Sequence, residues 1–229
     1  MDQETATQIL LAAGIDPDFF DESARFDFLQ TCKEGPNEKL VAFLVCGMPV
    51  DDASDREPPI IKASSGGVLE RILILRSYGA SLDERDVSGD TPLHTAVNWE
   101  RSRLVRQLLQ AGAHPDTVNN KNWTPLTFAV HKGNIELVNL LLEHGVDPDF
   151  SGPEGGALLF ALDNPSLAAR LLEAGANPER KLGPYDTLLL RAASRDQAET
   201  APTTPRRRRR GSSQPVWMDS PEWLLIDRT

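Results

Sequence analysis

Residues 90–99 read "DTPLHTAVNW", and "WTPLTFAV" begins at Trp123, placing a second Thr-Pro-Leu 33 residues after the first. Working outward, the two copies extend to "DVSGDTPLHTAVNWERSRLVRQLLQAGAHPD" and "NNKNWTPLTFAVHKGNIELVNLLLEHGVDPD". Their endings recur as "LLAAGIDPDF" (10–19), "FLVCGMPVDD" (43–52), "LRSYGASLDE" (75–84) and "LLEAGANPE" (171–179). Glycines 14, 47, 79, 112, 145 and 175 stand 33, 32, 33, 33 and 30 residues apart. A period of that length, held over six terminators, is the mark of a repeat array.

Each unit reads as a pair of helices. Thr91 is suited to cap a helix whose first position is Pro92, where the missing N–H is no loss and the fixed φ is already helical. Leu93, Ala96 and Val97 then share one face, and Leu104, Val105, Leu108 and Leu109 form the stripe of a second helix. Gly112 follows at the point where a left-handed residue ends that helix. Helices this short cannot bury their stripes alone, so stacked neighbours must supply each other's missing wall. The expected fold is therefore all-α.

The 33-residue period with Thr-Pro-Leu-His and a Gly-Ala-x-Pro-Asp type of ending resembles the ankyrin repeat family. The resemblance covers about residues 5–195 and is sharpest in the two middle units. The second unit departs from it with Pro58-Pro59-Ile60-Ile61 in place of Thr-Pro-Leu-His, and with Arg71 where another unit has Leu137. The fifth has Gly156-Ala157-Leu158-Leu159 and is shorter by three residues at 163–166. The division expected is a repeat domain over 1–195 and a tail over 196–229. Within the first lie a half unit at 3–20, full units near 21–52, 56–84, 86–117, 119–150 and 152–180, and a last first-type helix at 185–194.

The resemblance implies a curved stack whose hairpin loops and first helices form a concave surface that binds proteins. The positions that would make contact there are Asp90, Asn98 and Trp99 in one unit and Trp123, His131 and Lys132 in the next. Val87, Ser88, Asn120 and Lys121 would stand at the hairpin tips. Exposed tryptophans anchor protein interfaces disproportionately, typically contributing ~2 kcal/mol or more each. The alternative is that both rings fold back and seal the stack, because Glu100-Arg101-Ser102 replaces the usual glycine turn beside Trp99. His94 is implied to tie down the Thr91 loop, and His114 and His144 stand near second-helix ends.

Composition narrows the classes. With 40% hydrophobic and 25% charged residues and no apolar run near 18, the chain reads as globular without a membrane span. The stretch MDQETATQILLAAG lacks the basic start of a secretory signal. Cys32 and Cys46 fall in apolar helical patterns, as buried small side chains of a reducing compartment would, rather than as a disulfide or metal pair. An Asn122-Trp123-Thr124 sequon is read as an accident of the repeat. No catalytic constellation, cofactor loop or metal-ligand spacing is found. Gly152-Pro153-Glu154-Gly155-Gly156 lacks the Lys-Ser/Thr of a phosphate loop. Asp16, Asp18, Asp83, Asp116, Asp147 and Asp149 recur with the repeat and read as loop residues.

Residues 196–229 hold six arginines against five acids, whereas residues 1–195 hold 18 basic against 29 acidic residues. The body repels phosphates, so nucleic acid ranks last among the partners and would have to be met through the tail. There, Arg206, Arg207, Arg208, Arg209 and Arg210 form a basic block suited to an import receptor. Thr204 and Ser212 flank it in kinase-like contexts, and phosphate on either would oppose its charge. The closing "VWMDSPEWLLIDRT" reads either as a segment docking near Leu188 to Leu190 or as a partner-binding motif. The reading overall is a monomeric intracellular adaptor of nucleus or cytoplasm that binds another protein, with a nuclear transcription co-regulator as the second reading.

Overall fold

A computed structural model describes residues 1–50, 57–150, 156–178, 181–183 and 186–187. Eleven helices lie among them. The first, α1 (Gln3–Ala12), is followed by five pairs: α2 (Glu22–Glu34) with α3 (Asn37–Val45), and α4 (Pro59–Gly66) with α5 (Leu69–Ser77). The third pair is α6 (Pro92–Asn98) with α7 (Ser102–Gln110), and the fourth α8 (Pro125–His131) with α9 (Ile135–Glu143). The fifth is α10 (Ala157–Phe160) with α11 (Pro165–Glu173).

The pairs stack in two rows. The inner row runs α2, α4, α6, α8, α10, each packed on the next, and the outer row runs α1, α3, α5, α7, α9, α11. One apolar core threads between the rows, with Leu93, Ala96, Val97, Leu104, Val105 and Leu108 of the third pair all buried. This is the arrangement in which each helix supplies the wall its neighbour lacks. All six periodic glycines have left-handed φ values, between +76° at Gly14 and +111° at Gly79. A side chain there would be strained, which explains the regular spacing of glycine in the sequence.

The helix starts follow local chemistry. Thr91 accepts a hydrogen bond from the His94 N–H and Thr124 accepts one from the Thr127 N–H, so both middle units open on a side-chain cap. Pro58 and Gly156 offer no such cap, and α10 is only four residues long.

Beyond α11, β1 (Lys181–Gly183) pairs antiparallel with β2 (Asp186–Thr187). A helix was expected from 185 to 194, and the strand at Asp186–Thr187 corrects its start. The Gly183-Pro184 dipeptide is a turn signal that outweighs the apolar leucines after it. Residues 188–194 lie outside the described residues. Cys32 is a buried free thiol, pushed up to about 12 by burial, and Cys46 is half-buried and free.

Candidate functional site

The two middle hairpins are built by one device used twice. Asp86 Oδ1 accepts the N–H groups of Ser88 and Asp90, each at 2.8 Å. Thirty-three residues on, Asn119 Oδ1 accepts those of Lys121 (2.9 Å) and Trp123 (3.0 Å). Such short polar side chains satisfy a turn's backbone locally. The loops are also tied to each other: Asn120 N–H donates to the Ser88 carbonyl at 2.9 Å, and Asn119 Nδ2 donates to Asp90 Oδ1 at 2.7 Å. Partial burial raises the Asp90 carboxyl above its ordinary range, against the lowering effect of the Asn119 hydrogen bond and the Lys121 charge. Asp90 is thus half-buried and engaged within the stack, while Lys121 stands exposed at the tip.

His94 is fully buried and joins two units. Its Nδ1 accepts the Thr91 N–H at 3.2 Å, so the proton is on Nε2, which donates to the Trp123 carbonyl at 3.0 Å. Burial is the main reason its pKa falls to about 4. The imidazole is therefore neutral and structural at pH 7.

The two tryptophans part company. Trp99, the C-cap of α6, is 56% exposed and makes no ring contact among the described residues. Trp123 is half-buried, with its ring 5.1 Å from Phe128, 4.8 Å from His131 and 5.1 Å from Phe160. It seals the contact between the fourth and fifth units. The alternative, in which this turn draws Trp99 inward, does not hold for that ring, because Glu100 itself takes the left-handed conformation (φ +54°). Gly67 and Gly133 hold the equivalent places at +81° and +72°. The chain path is that of a glycine turn, and Trp99 remains outside it.

Asn98, Trp99, His131 and Lys132 are all exposed, at the ends of the neighbouring helices α6 and α8. The sequence reading missed Phe128 and Phe160, whose part in the Trp123 cluster depends on packing between units. It also missed a set of tethers. Asp83 accepts the His114 N–H at 2.9 Å, Asp116 the Asp147 N–H at 3.2 Å, and Asp149 the Asn177 N–H at 3.0 Å. The 33-residue spacing of Asp83, Asp116 and Asp149 was the signal for them.

Arg206–Arg210, Thr204, Ser212 and the closing segment from Val216 lie outside the described residues. Among the described residues no three His, Cys, Asp or Glu side chains group as a metal site would, and no helix is long and apolar enough to cross a membrane.

A family model for ankyrin repeats matches residues 28–119 and 102–182. The chain is an ankyrin-repeat protein. Ankyrin repeats mediate binding to other proteins, and the family is typically non-catalytic. Human rabankyrin-5 is 30% identical over 66 residues, covering 29% of this chain and 5% of that protein. Rat ankyrin repeat and SOCS box protein 2 is 32% identical over 96 residues, covering 41% and 15%. Human protein phosphatase 1 regulatory subunit 27 is 37% identical over 59 residues, covering 26% and 38%. The ankyrin-repeat chain therefore spans well under two thirds of each of these relatives.

Proposed function

We propose that this chain is a non-catalytic adaptor that holds a protein partner on its concave surface, with Trp99 as the anchor and Asn98, Lys121, His131 and Lys132 around it. The observation that carries the reading is the exposure of Trp99 at 56% in a chain with only 6% aromatic residues. A large ring held in water by a left-handed turn adds nothing to the core, whereas a partner that desolvates it gains ~2 kcal/mol. The phosphatase relative, a regulatory subunit by name, is in keeping with a module that acts by binding.

The arginine block supports a nuclear place of work for the adaptor, as the one basic cluster in a chain of net charge −10. Transcriptional co-regulation would follow from a partner found there.

One experiment addresses both. The full chain, Trp99→Ala, and a variant with Arg206 to Arg210 replaced by alanine are expressed as tagged fusions and recovered from separate nuclear and cytosolic fractions. The adaptor reading expects a co-purifying protein whose affinity falls about 30-fold in Trp99→Ala, with Tm moving by less than about 2 °C. The nuclear reading expects the arginine variant to shift to the cytosolic fraction. A co-purifying set indifferent to Trp99→Ala overturns the first, and an unmoved distribution overturns the second.

A further inference from the structure

Four rings meet where α8 packs on α10, at the joint between the fourth and fifth units. The Trp123 centroid lies 5.1 Å from Phe128, 4.8 Å from His131 and 5.1 Å from Phe160, and His131 lies 6.0 Å from Phe160. The planes are inclined at 57° to 87°, the tilted and edge-to-face manner in which aromatic rings attract. None of the four is buried: His131 is exposed and the other three are half-buried. The cluster closes the joint and still keeps aromatic surface in contact with water.

The charge on the same elements has one sign. Residues 117–135, which supply three of the rings, contain Lys121, His131 and Lys132 and no Asp or Glu, in a chain with 34 acids. Lys132 follows His131 as the C-cap of α8, and Lys121 stands in the hairpin that Asn119 closes onto Trp123. Both lysines are exposed. Open aromatic surface on a loop and helix end that carry only basic side chains suits an occupant that is apolar and acidic at once.

We propose that the occupant is this chain's own segment 216–229, which lies outside the described residues. Its sequence, VWMDSPEWLLIDRT, sets seven apolar residues, two of them tryptophan, beside Asp219, Glu222 and Asp227 and a single arginine. The reach is sufficient. The last described residue, Thr187, follows α11, the unit partner of the helix that carries Phe160, and 28 residues separate it from Val216. A chain of that length averages about 30 Å end to end as a coil and spans about 90 Å extended, against the ~10 Å between packed helices. Such a tether raises the effective concentration to the order of a millimolar, so modest contacts suffice. A single-stranded nucleic acid also stacks on rings and seeks cations, but residues 1–195 hold 29 acids against 18 basic residues and repel it. The docked segment would cover His131 and Lys132 and so compete with a protein held there. That consequence rests on the adaptor reading, whereas the docking does not.

The test labels the full chain with 5-fluorotryptophan, whose four fluorine resonances are assigned by single Trp→Phe variants. Trp217→Ser with Trp223→Ser is expected to move the Trp123 resonance and leave that of Trp99 in place. Lys121→Glu with Lys132→Glu, both at exposed positions, is expected to move Trp217 or Trp223 without unfolding the stack. A synthetic peptide of residues 216–229, added to the serine variant, is expected to return the Trp123 resonance to its wild-type place. The same peptide with Asp219→Asn, Glu222→Gln and Asp227→Asn needs at least about fivefold more, and a scrambled one at least about tenfold more. A Trp123 resonance unmoved by the serine variant overturns the proposal, as does equal action of the three peptides. A change at Trp99 in place of Trp123 overturns it in favour of another part of the groove. A wild-type Trp123 position that reverts to that of the serine variant on dilution overturns it in favour of a second copy's segment. Oligothymidylate acting on Trp123 where the peptide does not overturns it in favour of a nucleic acid. No partner is present in these measurements, so their failure leaves the Trp99 reading standing, and a partner indifferent to Trp99→Ala leaves the docking standing.

Discussion

The turn that ends α6 and the hairpin that leads into α8 each carry a tryptophan, and the two regions treat it in opposite ways. At the turn, Trp99 points past a left-handed Glu100 into solvent. At the hairpin, the Trp123 carbonyl accepts the Nε2 proton of His94 and its ring packs on Phe128, His131 and Phe160. The difference teaches that a variable groove position is defined by its backbone place and not by its exposure. Of these two places that vary between units, one leaves its ring in solvent and the other uses its ring and carbonyl to hold neighbouring units together.

The largest expected effect breaks the hairpin side through pH. The folded chain holds His94 near pKa 4, whereas the unfolded chain titrates it near its ordinary 6.5. As pH falls below 6.5 the unfolded state takes up the proton first, so stability present above 6.5 is lost progressively down to about pH 4. The full window is worth about 3 kcal/mol, and about 2 kcal/mol of that is gone by pH 5, before most carboxylates titrate. Urea unfolding of the wild type and His94→Asn at pH 7 and pH 5 measures it. The variant starts less stable and loses about 2 kcal/mol less on acidification. Parallel losses in the two proteins would mean that the buried imidazole is not the proton acceptor.

Trp123→Ala comes next and sharpens the contrast between the tryptophans. Removing a half-buried ring from a cluster of three others costs about 2 kcal/mol, short of the ~3–5 kcal/mol of a fully buried tryptophan. Trp99→Ala is a surface change, held within about 0.5 kcal/mol. Thermal unfolding of the two single variants side by side measures the difference. Equal shifts would show that Trp99 packs as Trp123 does.

Much of this molecule was legible in the letters because its chemistry is local. A threonine cap three residues before the amide it satisfies, a proline at a helix start and a glycine at a helix end act within one turn, and they set the helices of the third and fourth units. The exposure of Asn98, Trp99, His131 and Lys132 was legible too, since the ends of the first helices are fixed places in a unit. The orientation of Trp123 was not, because it depends on Phe160 in a unit that departs from the repeat and whose first helix is four residues long. Nor was the fate of Arg71, which stands where a leucine was expected. Its guanidinium reaches across to donate to the Lys33 carbonyl near the C-terminal end of α2, a partner 38 residues away. Interactions between units carry no signature in any one of them, except where they repeat as Asp83, Asp116 and Asp149 do.

The smallest effect tests what keeps Trp99 outside. Glu100 has the φ of its glycine counterparts, at a cost for a side-chain-bearing residue of about 1–2 kcal/mol. Glu100→Gly removes that strain, but glycine gives the unfolded chain more freedom, which offsets about 0.4–1 kcal/mol of the gain. The substitution also deletes the exposed hydrogen bond from Asn134 Nδ2 to Glu100 Oε2, worth ~0.5 kcal/mol at most in solvent. The net is a gain of about 0.5 kcal/mol, a rise of one or two degrees in Tm for a chain of this size. The fluorescence quenching of Trp99 by iodide, read in a background with Trp123, Trp217 and Trp223 all replaced by phenylalanine and compared with and without Glu100→Gly, stays the same if the turn alone positions the ring. A drop in quenching would mean that Glu100 had been holding the indole away from the stack, and that the exposure of Trp99 belongs to this one side chain rather than to the path of the turn.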